Sequence, residues 1–296
     1  MKKRLLLFGM ALSLMTISCS KDEVTPNGGG SDVVANQKVD AAIDDVSVIA
    51  DDQYEVNEGT VDGKGIQDYI SVLPDCANIS FVGSTGDHKV ITITFGSGTT
   101  TCLFRGHHLL GQVILTRDVT ATFPKTMTVT YNNFYVDGNK LEGTTTWTRF
   151  LIDEGTSNMR IKTKLTMTNM TLTTPAGVYT RNGHRIRIMS SGFLTYGNAE
   201  DNEFTTYGEF TTVHPNGDEY MSYISESTPL LNKVACGDLL ARYPVSGILM
   251  LQKHSGIGTP DEETHSIAID YGTGDCDKLA MMSIDQGTAV QITLGN

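Results

Sequence analysis

The chain has 296 residues and a formal net charge of −12. Setting aside Lys2, Lys3 and Arg4 at the extreme N-terminus leaves 19 basic against 34 acidic residues, a charge near −15. That balance, with no Lys/Arg-rich block anywhere, argues against nucleic acid or anionic lipid as the main partner.

The first residues read as a secretory signal peptide over 1–18: a basic start, then an apolar run from Leu5 to Ile17 too short to span a bilayer. Met15-Thr16-Ile17-Ser18-Cys19 resembles a bacterial lipobox, with Thr16 where Leu, Val or Ile is usual. The resemblance implies that Cys19 is lipidated and becomes the mature N-terminus. Several acyl chains on one residue anchor stably where a single chain does not. The alternative is an ordinary secreted protein whose Cys19 lies near the cleavage point. Ser20-Lys21-Asp22-Glu23 resembles a tag that sends some lipoproteins of Gram-negative bacteria to the outer face of the outer membrane; the alternative is a plain polar tether. Residues 19–31, with Pro26, Asn27 and three consecutive glycines, read as a flexible tether.

Over 32–55 the apolar residues Val39, Ile43, Val46, Ala50 and Tyr54 recur at three- and four-residue steps, with aspartates between them. This spacing predicts an amphipathic helix, capped by Ser31 or Asp32 and packed on the rest of the protein. A partner-binding helix is the sharper alternative.

From about residue 56 to 296 the period is two. Met127–Tyr131, Ile161–Met167, Arg185–Ile188 and Ser266–Ile269 alternate, which predicts half-buried strands with Val, Ile, Leu and Met inward and Thr, Lys and Arg outward. Asp137-Gly138, Asn182-Gly183 and Asn216-Gly217 fall between alternating runs, where Asx-Gly suits tight hairpins. About twelve to fourteen strands are expected, with no helices to serve parallel crossovers. The fold class is all-β: an antiparallel meander of hairpins forming a sandwich or rolled sheet, with one N-terminal amphipathic helix.

Within this β domain two segments echo each other. Ile91-Thr-Ile-Thr-Phe95-Gly-Ser-Gly98 runs on to Cys102, and Ile267-Ala-Ile-Asp-Tyr271-Gly-Thr-Gly274 runs on to Cys276. An earlier cysteine precedes each, Cys76 and Cys236. Five cysteines less Cys19 leave four, an even number that fits two bridges in an exported protein. Three pairings are open, and four free thiols are the alternative. The repeat favours Cys76–Cys102 and Cys236–Cys276, because antiparallel counting along the first hairpin brings Cys76 near Gly96. No Cys-x-x-Cys pair suggests zinc.

These twin motifs, together with Val129–Gly143 and Arg242–Gly247, resemble a family of uncharacterised lipoproteins from Gram-negative gut and environmental bacteria. The similarity runs from about Asp32 onward. It implies an all-β lipoprotein and carries no activity or catalytic residues with it. The segment Leu103–Leu110 departs from the family, which is polar and basic there.

Candidate chemistry is sparse. Asp270, Asp275 and Asp277 form an oxygen-rich stretch with a weak calcium look, although the spacing is not that of an EF-hand and the first repeat lacks the acids. His107-His108 cannot easily share a metal, since strand neighbours point to opposite faces. There is no His-Glu-x-x-His, no Gly-x-Ser-x-Gly, and no helix behind either Gly-x-Gly to hold a phosphate, so no cofactor is expected. Trp147, on an alternating strand, reads as a core anchor before a sugar platform. The leading expectation is a lipid-anchored, outward-facing outer-membrane protein that binds or scaffolds a glycan or another protein. The alternatives are a carboxylate-dependent hydrolase acting on extracellular glycan, and a periplasm-facing component that docks a partner through its N-terminal helix.

Overall fold

Two-residue alternation makes strands, and strands joined by short turns make antiparallel ladders. The computed structural model describes residues 39, 42, 43, 45–50, 52, 53, 71, 73–85, 88–118, 122–192, 201–236 and 243–294. The signal-peptide, Cys19 and tether expectations lie outside the described residues, as do the capping positions Ser31 and Asp32.

Among the described residues fifteen strands form one sheet. They are β1 (Ala77–Thr85), β2 (His88–Phe95), β3 (Cys102–Phe104), β4 (His107–Asp118), β5 (Lys125–Val136), β6 (Asn139–Ile152), β7 (Arg160–Thr174), β8 (Gly177–Ser191), β9 (Glu203–Val213), β10 (Glu219–Ile224), β11 (Leu230–Lys233), β12 (Ser246–Ser255), β13 (Glu263–Thr273), β14 (Leu279–Ile284) and β15 (Val290–Thr293). The spatial order follows the chain, except that β3 pairs only with β4 and β11 lies between β9 and β12. The all-β antiparallel meander is thus present. The strand count exceeds the expected one because β3, β11 and β15 have only three or four residues, too few for alternation to register.

One face of the sheet is apolar. In successive registers Ile91 faces Leu115, Leu115 faces Val129, Val129 faces Thr145 and Thr145 faces Met167. All five are buried. The helix lies against this inner face, with Val39, Ala42, Ile43, Val46, Ile49 and Ala50 in the same core as Phe95, Phe134 and Trp147. Its polar residues are drawn in too. Asp45 is buried, with Arg105 at 3.8 Å and His107 at 3.9 Å. Asp52 accepts hydrogen bonds from Ser71 Oγ at 2.6 Å and Gln53 Nε2 at 2.9 Å. The described part of the apolar stripe, Val39 to Ala50, thus packs on the sheet. Trp147 is buried in this core and offers no platform to a sugar. A second, smaller core lies under Leu251, Ile267, Ile269, Ala280 and Leu294.

Two expectations fail locally. Asn182-Gly183 is not a hairpin turn but lies within β8. Gly183 has φ +136° and passes so close to β9 that a Cβ would meet the Glu209 carbonyl, while Asn182 Oδ1 accepts the Asn169 backbone N–H across a bulge in β7. Asp137-Gly138 and Asn216-Gly217 do turn, joining β5 to β6 and β9 to β10. Second, arginine is not confined to the outer face. Arg185 pairs with Leu165 of the inner face, and Ile186 pairs with exposed Lys164 of the outer face. Arg181 is 1% exposed, donates from Nε to Thr212 Oγ1 at 2.9 Å and stands 5.4 Å from the Phe210 ring. Arg185 and Arg187 likewise lie over Phe210 and Phe204, so aromatic faces and hydroxyls offset the cost of bringing the guanidinium groups inward. The outward threonines, by contrast, lie where the alternation puts them. Thr116 faces Thr128, Thr128 faces Thr146 and Thr146 faces Thr166, a threonine row with no ring on which a sugar could stack.

Candidate functional site

A concave part of the outer face lies over β9 and β11–β14. β10 and β11 are successive segments of one sheet position, both laid against β9 and β12. The chain leaves the ladder between them at Ser225–Pro229. Opposite that break, β12 carries a bulge between Ser246 and Ile248. Gly247 makes it possible: its φ is +100°, and a Cβ would collide with the Pro229 carbonyl. The break and the bulge together open a shallow cavity of about 410 Å³ lined by Thr205, Thr228, Leu231, Ser246, Ile248 and Asp270. A second cavity, about 200 Å³, adjoins it through Asp270 and Gly272 and extends over Tyr271, Asp275, Asp277 and Met281.

Asp270 thus sits where the two cavities meet. Its Oδ1 accepts the Gly272 backbone N–H at 2.9 Å, and the exposed side chain borders both cavities. Asp277 Oδ1 accepts the Leu279 N–H at 3.0 Å. The far wall is rigid: Cys276 is bonded to Cys236, Gly274 N–H donates to the Val245 carbonyl at 2.8 Å, and Lys233 Nζ donates to the Gly274 carbonyl at 3.2 Å. The other bond joins Cys76 to Cys102 at the far end of the sheet. Both bridges therefore close within a repeat.

Asp270, Asp275 and Asp277 line one cavity, but among the described residues no group of three or more His, Cys, Asp or Glu side chains is placed to hold a metal. Two of the three carboxylates are turned to backbone amides instead, where they fix the Gly-x-Gly turn and the start of β14. All three are exposed.

Sequence reading missed a recurrent histidine clip. His107 Nδ1 lies 2.6 Å from Asp137 Oδ2, and Asp137 Oδ1 accepts the His108 N–H at 2.8 Å. His265 Nδ1 lies 2.7 Å from Asp285 Oδ2, and Asp285 Oδ1 accepts the Ser266 N–H at 2.7 Å. Both aspartates have φ +49° and donate their own N–H to the strand they clip. Burial works against the charged Asp137 carboxyl, but the hydrogen bonds from His107 and His108 prevail and hold it below its ordinary value. The Ser266 N–H and then His265 hold Asp285 low, and Asp285 and then Glu263 hold His265 high. The partners lie 20 and 30 residues apart, too far for any local pattern to signal them. His108 Nδ1 meets Thr101 Oγ1 at 3.0 Å instead, so the adjacent histidines do serve different partners. Neither clip faces the Asp270 groove, and each fastens one strand to the next.

No family model, no curated protein and no solved structure matches the chain. Among the described residues no helix is long and apolar enough to cross a membrane. Fold and bridges together describe an all-β, disulfide-bonded domain built as one antiparallel meander around an N-terminal helix.

Proposed function

We propose that this protein is a lipid-anchored, surface-exposed binding module, not an enzyme, and that the Asp270 groove takes a neutral polyhydroxylated ligand, a glycan. The anchor rests on the sequence at Cys19 and the outward placement on Ser20–Glu23. The groove carries the ligand reading. A carboxylate oxygen facing a cavity accepts hydrogen bonds from sugar hydroxyls, and the hydroxyls of Thr205, Thr228 and Ser246 both donate and accept. Leu231, Ile248 and Met281 supply apolar floor for the C–H faces of a ring. The threonine face of β4–β7 does not contribute, because sugar binding on an open sheet relies on exposed rings.

The test is calorimetric titration of the protein with a panel of soluble polysaccharides, repeated with Asp270→Ala. Binding that weakens at least about tenfold in the variant supports the reading, since a lost charge-assisted hydrogen bond is worth about 1.5–3 kcal/mol. Binding unaffected by the substitution, or no binding across the panel, rejects it. Release of new reducing ends during the titration would turn the assignment to a hydrolase. Protease shaving of intact cells, with a periplasmic control, decides which side of the membrane the domain faces.

A further inference from the structure

Among the described residues the meander does not close, so it has two edges, and they are unlike. An edge strand presents a row of N–H and C=O groups, which proteins blunt with charge, proline, bulges or shortness. β15 is blunted by its length of four residues. β1 has nine residues, Ala77–Thr85, none charged and none proline. Its one irregularity is a bulge between Val82 and Ser84, which leaves Ala77–Val82 a regular strand paired with β2 on one side only among the described residues. Phe81 is the second observation. It stands opposite Ile91 on the inner face, and Ile91 is 1% exposed while Phe81 is 64% exposed. Ile79, on the same face, packs partly against the core. The apolar layer therefore runs out to the edge and ends on a ring left in water.

We infer that β1 pairs with β1 of a second copy of this chain, antiparallel, about a twofold axis through Ser80. In that register Phe81 of each copy lies opposite Ile79 of the other on the inner face, an aromatic–β-branched cross-strand pair. The two Ser80 residues face each other on the outer side. A second copy is the occupant because the strand is self-complementary in this register. It carries no charge, so two chains of net charge −12 meet there without like charges opposed. The twofold contact is isologous and closes after two copies. Pairing β1 with β15 would engage at most four residues and would propagate without closing. The overlap from Asn78 to Val82 is short, so dimerisation depends on concentration. The inference stands on the β1 edge and is independent of the Asp270 groove and of the lipid anchor.

The test is oxidative crosslinking of the full chain carrying Ser80→Cys or Asn78→Cys, read on non-reducing gels, with peptide mapping to verify that Cys76–Cys102 stays intact. Cα atoms directly opposite in an antiparallel pair are about 4.5–5.5 Å apart, within disulfide reach, whereas two Asn78 positions would lie four residues apart in register. Ser80→Cys should crosslink at least about tenfold faster than Asn78→Cys, because only the axial pair meets disulfide geometry. Adding Phe81→Lys to Ser80→Cys should abolish the crosslink with the circular dichroism spectrum unchanged, since Phe81 is already exposed. Equal crosslinking at both positions, crosslinking that survives Phe81→Lys, or none at Ser80→Cys at high protein concentration overturns the inference.

Discussion

Replacing Cys236 and Cys276 by serine removes the bond at the end of the groove. The bridges span 26 and 40 residues, for which loop-closure entropy gives about 3.5 and 3.9 kcal/mol. On chain entropy alone the two bonds are nearly interchangeable. Packing separates them. The Cys76–Cys102 bond joins a core of twenty-four described buried apolar residues that includes the helix, and Cys102 is itself one of them. The core beside Cys236–Cys276 has five: Leu251, Ile267, Ile269, Ala280 and Leu294. At about 1.5–3 kcal/mol for each of its four large side chains, that core supplies roughly 6–12 kcal/mol before the entropy of ordering β12–β15 is subtracted. Losing about 3.9 kcal/mol from so narrow a margin should let these strands unfold first. Trp147, the only tryptophan, lies in the larger core, so its fluorescence reports that core, while far-ultraviolet circular dichroism reports all strands. In urea, Cys236→Ser/Cys276→Ser should show a dichroism midpoint below its fluorescence midpoint. Cys76→Ser/Cys102→Ser should lower both together. Coincident transitions in the first variant would refute the division into a strong and a weak core.

Two further outcomes follow from backbone and charge. Gly111→Ala should cost about 2–5 kcal/mol, combining a left-handed φ penalty of about 1–2 with overpacking of about 1–3. Gly111 has φ +97° and a methyl group there would overlap the Asn133 carbonyl, whereas Gly138→Ala, with φ +77° and open space around it, should pay the conformational part alone; equal losses by urea denaturation would contradict this. His265, raised above 6.5, stabilises the fold fully below that pH and loses its contribution as pH rises through its raised folded value. Asp285, lowered below 3.8, contributes above that pH and loses its part as pH falls through its lowered folded value. The clip is therefore strongest between about pH 3.8 and 6.5; in an NMR titration Asp285→Asn should bring the His265 midpoint down towards 6.5, and an unmoved midpoint would break the pairing.

Where the sequence was readable, one short-range rule acted alone. The helical step from Val39 to Ala50 survives because its residues meet one face of the sheet. The cysteine pairing was legible because the register places Ala77 opposite Phe95, so counting along one hairpin sufficed. The same kind of reasoning failed at Asn182-Gly183. The dipeptide is as turn-prone as Asp137-Gly138, but β9 runs against Gly183 and holds it within a strand, which only the tertiary fold decides. Arg185-Ile-Arg-Ile188 failed for a related reason. Alternation gives a period but not which face is which when both sets of side chains carry apolar stems.

The groove was illegible for a deeper reason, since backbone irregularity makes it and not a side-chain motif. Bulges recur beside close-approach glycines, at Gly111 in β4, Gly143 in β6 and Gly247 in β12. Each bends its strand and raises the local twist, which lets one open sheet curve over a helix without splitting into two layers. At Gly111 and Gly143 the close neighbour is the backbone carbonyl of an asparagine with positive φ, Asn133 or Asn169, and the ladder continues past it. At Gly247 the neighbour is the Pro229 carbonyl. Proline has no backbone N–H to give to a ladder, so the sheet stays open there and Asp270 is left at the junction of two cavities. Asp270 lies beside a missing rung of the ladder, and under the proposed reading its substitution affects ligand binding with little effect on stability, because its described side-chain hydrogen bond spans a two-residue turn.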